Sequence, residues 1–333
     1  MWDVGCERKR LVRIVVYGPE RRVGALEGQR VIDLARTYEM AEAARGRSGR
    51  TLPAGLLAFI EGGDSHVEAA GETLQYARDR DLPEQAAVPV ASTTLHAPWP
   101  GRRIACVGGN YADHMLGMMP PRADGTRMTE EEVREQERKS PSWGFWKVPA
   151  EAVGPEGEIP YPSRTRYLDF EGEAAIVIGR RVKNFGAADY RPYVFGVTLL
   201  HDGSIRDGGG PVRGLSYNLA KNFDGSTALG PSIAVGELDP EDVDVTTDVN
   251  GERRQAYNTR DMIFKWGEVL AYLSQDFTLV PGDILSGGTA KGTAADMTPR
   301  APDGSRSTDL FLKKGDEVVV SSAHIGALRL HIT

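Results

Sequence analysis

Beyond residue 167 the chain carries six short runs of strand character, at 174–178, 194–200, 243–249, 283–285, 317–320 and 327–332, and a single helical pattern, at 259–274. Runs of β-branched and aliphatic residues bounded by Gly, Pro, Asn and Asp read as strands. Asn250-Gly251 falls between two such runs and marks a tight hairpin. The strands do not alternate with helices and no segment repeats, which disfavours a doubly wound sheet. With 39 glycines and 20 prolines to supply turns, the expected class is α+β and β-rich.

Residues 11–17, 22–26 and 31–34 also read as strands, and 35–46, 54–61 and 65–80 as helices, with Pro53 suited to the first turn of the second. The expected division is a small α/β domain over 1–90, a linker over 91–102 and a larger domain over 103–333. Inside the larger part, 117–142 is a polar insertion. Thr129 and Glu132 have the spacing of a capping box and predict a helix over 130–139, either a solvated surface helix or a lid that brings in a carboxylate.

A net charge of −7 argues against a nucleic-acid partner, because phosphate contacts need clustered Lys and Arg. No run of about 18 apolar residues is present, so no membrane span is expected. Residues 1–10 lack the apolar stretch of a signal peptide, and Cys6 and Cys106 stand far apart, so the expected location is cytoplasmic.

Four segments carry groups fit for chemistry. In LDFEGEAAIVIG (168–179), Glu171 and Glu173 are two apart, so a strand places both carboxylates on one face beside a buried apolar run. Their repulsion and desolvation are relieved by a divalent cation. All-oxygen ligation suits Mg²⁺, Mn²⁺ or Ca²⁺. In HDGSIRD (201–207), Asp202 ends a strand as a natural third ligand, and Arg206 can grip a carboxylate with two prongs. His114 follows a glycine-rich turn in GGNYADH (108–114), where it can act as a base, and Lys221 in KNFDGSTALGP (221–231) can stabilise an oxyanion. No Gly-x-Gly-x-x-Gly opens a helix after a strand, which disfavours a dehydrogenase.

In their joint order these segments resemble the fumarylacetoacetate hydrolase superfamily over nearly the whole chain. FWKVP (145–149), VNGE (249–252), NTRDMIF (258–264), PGDILSGGT (281–289) and KGD (314–316) extend the likeness. The resemblance implies a mixed β-roll or barrel-like catalytic domain behind a smaller N-terminal α/β domain, commonly as a homodimer. It implies Glu171, Glu173 and Asp202 as ligands of one Mg²⁺ or Mn²⁺, possibly Ca²⁺, and His114 and Lys221 as catalytic groups. Tyr111, Lys147, Arg206 and Thr289 would contact a small oxo-acid substrate. The implied reaction is hydrolysis of a carbon–carbon bond in an acylpyruvate- or fumarylacetoacetate-like acid through an enolate at the metal. Isomerisation, tautomerisation or decarboxylation of a 2-hydroxy-dienoate or an oxaloacetate-like acid is the alternative. A non-catalytic metal-binding protein is a third reading.

Two departures bear on the mechanism. Where the family pattern has a glutamate three residues after the histidine, to orient it, this chain has Gly117. A glutamate from 130–137 is one candidate substitute. His201 replaces the usual Asn, and it either takes over acid–base work or hydrogen-bonds the backbone.

Overall fold

The computed structural model describes residues 11–78, 80–186, 189–207, 217–299, 301 and 305–333; Cys6 and the rest of 1–10 lie outside them. From the N-terminal side, β1 (Val12–Tyr17), β2 (Arg22–Glu27) and β3 (Arg30–Asp33) precede helices α1 (Leu34–Ala44), α2 (Leu56–Glu61) and α3 (Gly63–Arg78). Then come β4 (Ala87–Pro89), β5 (Leu95–His96), β6 (Ile104–Gly108), α4 (Ala112–Met118), α5 (Glu130–Glu137), β7 (Trp143–Lys147), β8 (Gly157–Ile159), β9 (Leu168–Asp169) and β10 (Gly172–Ile178). They are followed by β11 (Val194–Asp202), β12 (Ser204–Ile205), α6 (Tyr217–Lys221), β13 (Thr227–Val235), β14 (Asp244–Val249) and β15 (Glu252–Asn258). The C-terminal part is α7 (Trp266–Leu273), β16 (Ile284–Ser286), α8 (Ala294–Met297), β17 (Glu317–Ser322) and β18 (Gly326–Ile332).

An 11-stranded sheet runs β4-β3-β2-β1-β13-β11-β10-β16-β6-β7, with β5 paired to β1. A five-stranded sheet runs β15-β14-β17-β18-β8, and β12 pairs with β9. Because β1 hydrogen-bonds to β13, strands from 1–90 and from 103–333 share one sheet.

The strand β10 is buried along its whole length and shows how the layers divide. Successive side chains of a strand point to opposite faces. Ala174, Ile176 and Ile178 join a core with Val245, Val318, Val320 and Leu328 of the smaller sheet. Ala175 and Val177 join a second core with Phe59, Ile60 and Leu74 of the N-terminal helices.

The hairpin at Asn250-Gly251 is present, with φ of 51° and 77° as a two-residue turn of this hand requires. The helix expected over 259–274 is broken into a short 3-10 turn at Thr259–Asp261 and α7. Asn110 draws the intervening backbone out: its carbonyl accepts from the Ile263 N–H at 2.8 Å and its side chain from the Phe264 N–H at 2.7 Å. The strands β7 and β13 were not expected. β13 contains Gly230 and Pro231, which punctuate a chain locally and hide a strand that tertiary pairing completes.

Candidate active site

The strands β10 and β11 run antiparallel, with Gly172 opposite His201. That register brings Glu171, Glu173 and Asp202 to one place, where the Asp202 N–H donates to the Glu171 carbonyl at 2.9 Å. All three line a cavity of about 220 Å³ together with His114, Arg206, Lys221 and Thr289. The volume equals that of about seven waters, which suits a small acid. Tyr111 and Lys147, expected at the substrate, are not on this wall. Tyr111 is buried in the core, its ring 4.9 Å from that of Tyr257. Lys147 is buried behind Asp202, where Nζ donates to Asp202 Oδ1 at 2.5 Å and to the Ser226 carbonyl at 2.9 Å.

The charges interlock. Lys221 Nζ donates to Glu171 and to Asp202 Oδ2, the latter at 2.8 Å. Arg206 donates through one nitrogen to Glu171 and through Nε to Asp169 Oδ2 at 2.9 Å. Burial works to raise the Glu171 carboxyl, but the Arg206 and Lys221 cations outweigh it and hold the group well below the usual carboxylate range. Glu173 goes the other way: burial, then the Asp202 and Glu171 carboxylates, push it well above that range. The Ser286 hydroxyl donates to Glu173.

Oxygen atoms of Glu173 and Asp202 lie within 4.8 Å of each other and of the Cys106 sulfur. Two buried carboxyl groups close enough for Asp202 to push Glu173 up, offering hard oxygen donors, fit a divalent cation. Glu171 stands outside this tightest trio, its oxygens turned to Arg206, Lys221 and the Ser204 hydroxyl. Cys106, whose thiol burial pushes up, was not anticipated here, because its approach to the carboxylates depends on the parallel pairing of β16 with β6.

The orienting carboxylate missing at Gly117 is supplied from elsewhere. Asp296 Oδ2 contacts His114 Nδ1 at 2.6 Å, from 182 positions away in sequence. A carboxylate only accepts, so Nδ1 carries the hydrogen and Nε2 is the ring nitrogen left for exchange with the cavity. The side chain of Asp296 is itself held by the Gly292 N–H, 3.1 Å from both oxygens, and by the capping box of α8 with Thr293. A Cβ at Gly117 would lie 2.6 Å from the Asp296 Cβ and 2.7 Å from its carbonyl oxygen. Gly117 therefore makes the room that Asp296 fills. The glutamates of α5 are not used: the capping box of that helix forms as expected, Val133 docks it against Ala112 and Ile263, and Glu132 pairs with Arg122 at 2.8 Å.

His201 is buried, its Nδ1 finds no hydrogen-bond partner among the described residues, and burial with the nearby Lys147 charge lowers it to about 3, which keeps the ring neutral and disfavours acid–base work. Thr289 does line the cavity, with its hydroxyl donating to the Gly172 carbonyl at 3.1 Å and accepting from Gln255 at 2.8 Å.

A mixed, sheet-rich fold that brings carboxylates, a lysine and a carboxylate-bound histidine to one cavity has the makings of an enzyme site. The chain belongs to the fumarylacetoacetate hydrolase family: the profile described as fumarylacetoacetate (FAA) hydrolase C-terminal matches residues 103–333. It is 32% identical over 282 residues to the mitochondrial oxaloacetate tautomerase FAHD2B of Homo sapiens, covering 84% of this chain and 79% of that one. It is 31% identical over 285 residues to the oxaloacetate tautomerase YisK of Bacillus subtilis, covering 84% and 86%. The solved fumarylacetoacetate hydrolase of Exiguobacterium antarcticum superposes with a TM-score of 0.69 at 26% identity, covering 97% of this chain and 99% of that one. Among the described residues no helix is long and apolar enough to cross a membrane.

Proposed function

We propose that this chain is a divalent-cation-dependent enzyme that interconverts the keto and enol forms of a small 2-oxo acid. The observation that carries the reading is the His114–Asp296 pair opening onto the same cavity as Glu171, Glu173 and Asp202. When bound, Mg²⁺ or Mn²⁺ supplies Lewis acidity to the oxygens of the acid; Glu173, Asp202 and Glu171 are the residues that would hold it. His114 Nε2 moves a proton to or from the carbon next to the oxo group. Asp296 fixes the tautomer and the ring plane that this transfer needs. Lys221, whose Nζ sits between Glu171 and Asp202, places positive charge beside the oxygen that becomes anionic. Keto–enol exchange moves one proton from carbon to oxygen, and no other atom enters or leaves. Both relatives named for oxaloacetate tautomerisation support this reaction type.

A second reading, hydrolysis of a carbon–carbon bond, is favoured by the same pair, because a histidine with its orienting carboxylate restored can activate a water. The two readings part in their products. Purified protein is given Mg²⁺ or Mn²⁺ with freshly dissolved enol oxaloacetate and with an acylpyruvate, and the enol absorbance and product mass are followed. Tautomerisation hastens the approach to the same equilibrium at unchanged mass, whereas hydrolysis yields two fragments. No acceleration over buffer and cation, or an acceleration undiminished in His114→Ala, would sink both.

A further inference from the structure

The site has two working parts, and one carboxylate outside the cavity wall touches both. Glu171, Glu173 and Asp202 make the first part, and the His114–Asp296 pair makes the second. Resting on the reading above, we propose that Asp169 is a positioning residue that fixes the two parts relative to each other, by holding Arg206 and the first turn of α8 on one carboxylate. Asp169 is fully buried. Its Oδ1 accepts from the Ala294 N–H at 2.7 Å and from the Phe170 N–H at 3.0 Å. Its Oδ2 accepts from the Ala295 N–H at 3.2 Å and from Arg206 Nε at 2.9 Å.

Each link leads on to a working group. Arg206 also donates to Glu171, so one guanidinium spans two carboxylates that stand two apart in sequence. A cation that claims Glu171 draws on an oxygen that Arg206 holds. Asp169 then keeps a charge beside the guanidinium, which spares it part of the cost of losing an anion in a partly buried place. In the other direction, Ala294 and Ala295 open α8, and Asp296 follows them. Their N–H groups are among those that a helix start leaves without an internal acceptor, and negative charge is favoured there. Seating them on Asp169 seats Asp296, and Asp296 sets the ring of His114. Misplacing a base by about 1 Å from the atom it serves costs on the order of a hundredfold in rate.

The test is Asp169→Asn, which keeps the shape but turns an amide NH₂ toward donors whichever way it faces. Mg²⁺ affinity measured by calorimetry should fall roughly 10–100-fold. In the cation-free protein, the ring ¹⁵N signals of His114 should pass from the single Nδ1–H tautomer to a mixture of the two. Asp33→Asn removes another fully buried carboxylate that caps a helix, and it controls for lost stability: both readouts should match those of the unaltered protein. Asp169→Asn moving only one readout, or neither, would overturn the proposal, as would the same changes in Asp33→Asn. If Asp169→Asn does not fold, the unaltered protein is titrated with Mg²⁺ under NMR. The Arg206 Nε–H signal and the Ala294 and Ala295 amide signals should then shift together, and a shift at Arg206 with both amides unmoved would overturn the proposal. None of these readouts needs turnover. An absence of keto–enol exchange therefore sinks the reaction reading alone, and Asp169 is still judged by affinity and tautomer.

Discussion

At the scale of single residues, the base and its partner make the sharpest test. Asp296→Asn keeps the size of the side chain but offers an amide to Nδ1, so the imidazole loses the tautomer that frees Nε2. Turnover should fall by roughly 10²–10⁴ with the circular dichroism spectrum unchanged; a loss under threefold would show that His114 needs no orienter. Glu173→Ala should remove divalent-cation binding in a calorimetric titration, and unchanged affinity would refute its place among the ligands. These residues differed in how legible they were. Glu173 and Asp202 lie on a strand pair and Glu171 directly precedes it, so alternation and strand ends pointed to their sharing one cavity. Asp296 was hidden because its partner is 182 positions distant, and its one local signal, the Thr293–Asp296 capping spacing, speaks only of a helix start. Lys147 misled for the opposite reason: the motif around it is clear, but its side chain passes behind Asp202 to the Ser226 carbonyl.

At the scale of elements, close approach and capping carry the predictions. Gly172 begins β10 between two acidic residues, and a Cβ there would lie 2.0 Å from the Thr247 hydroxyl of β14. Gly172→Ala should destabilise the fold by roughly 1–3 kcal/mol through overpacking, read as a lower urea midpoint at unchanged slope, and should weaken cation binding with it. Asp33 caps α1 and ties it to the first two strands, accepting from Tyr17 at 2.6 Å, from Arg22 Nε at 2.6 Å and from the Arg36 N–H at 2.8 Å. Burial opposes its ionisation, but Arg22, the Arg36 N–H and Tyr17 outweigh that and hold its carboxyl below the ordinary value. A depressed carboxylate stabilises the fold fully above the unfolded value, about 3.9, and the contribution is lost as pH falls through the lower folded value. Asp33→Asn should therefore cost roughly 1–3 kcal/mol at pH 7 and much less near pH 2, measured by urea unfolding at both. The helices of 1–90 and the hairpin at Asn250 were readable because their signals are local. The break before α7 was not, since it is made by Asn110, a residue more than 150 positions earlier.

For the whole molecule, sharing of one sheet and one core across the chain has thermodynamic consequences. β1 pairs with β13, and Val12, Ile14 and Phe59 pack with Ile104, Ala175 and Ile233. Unfolding in urea should give coincident transitions by fluorescence and circular dichroism; two separated midpoints would mean that 1–90 is held only loosely. Mg²⁺ with oxalate, which imitates the head of a 2-oxo acid, should raise the thermal midpoint further than Mg²⁺ alone. At a hundredfold excess over Kd the gain is about 2.7 kcal/mol. A shift with cation and none with oxalate would favour a protein that keeps the ion but has no substrate. The change of texture at residue 103 was visible in sequence and coincides with the start of the family match. Continuity of the sheet across it was invisible, because Gly230 and Pro231 interrupt any local strand signal in β13.

The distance along the chain between His114 and Asp296 makes the base depend on tertiary rather than local structure. A histidine and an orienter three residues apart on one helical turn would stay together for as long as that turn survives. Here the pairing lasts only while the loop that leads into the four-residue α8 stays seated against α4. That loop is buried, and Asp169 holds it by accepting from the Ala294 and Ala295 N–H groups, so on warming turnover should be lost together with the far-ultraviolet signal, and a loss well before it would show the loop to unseat first.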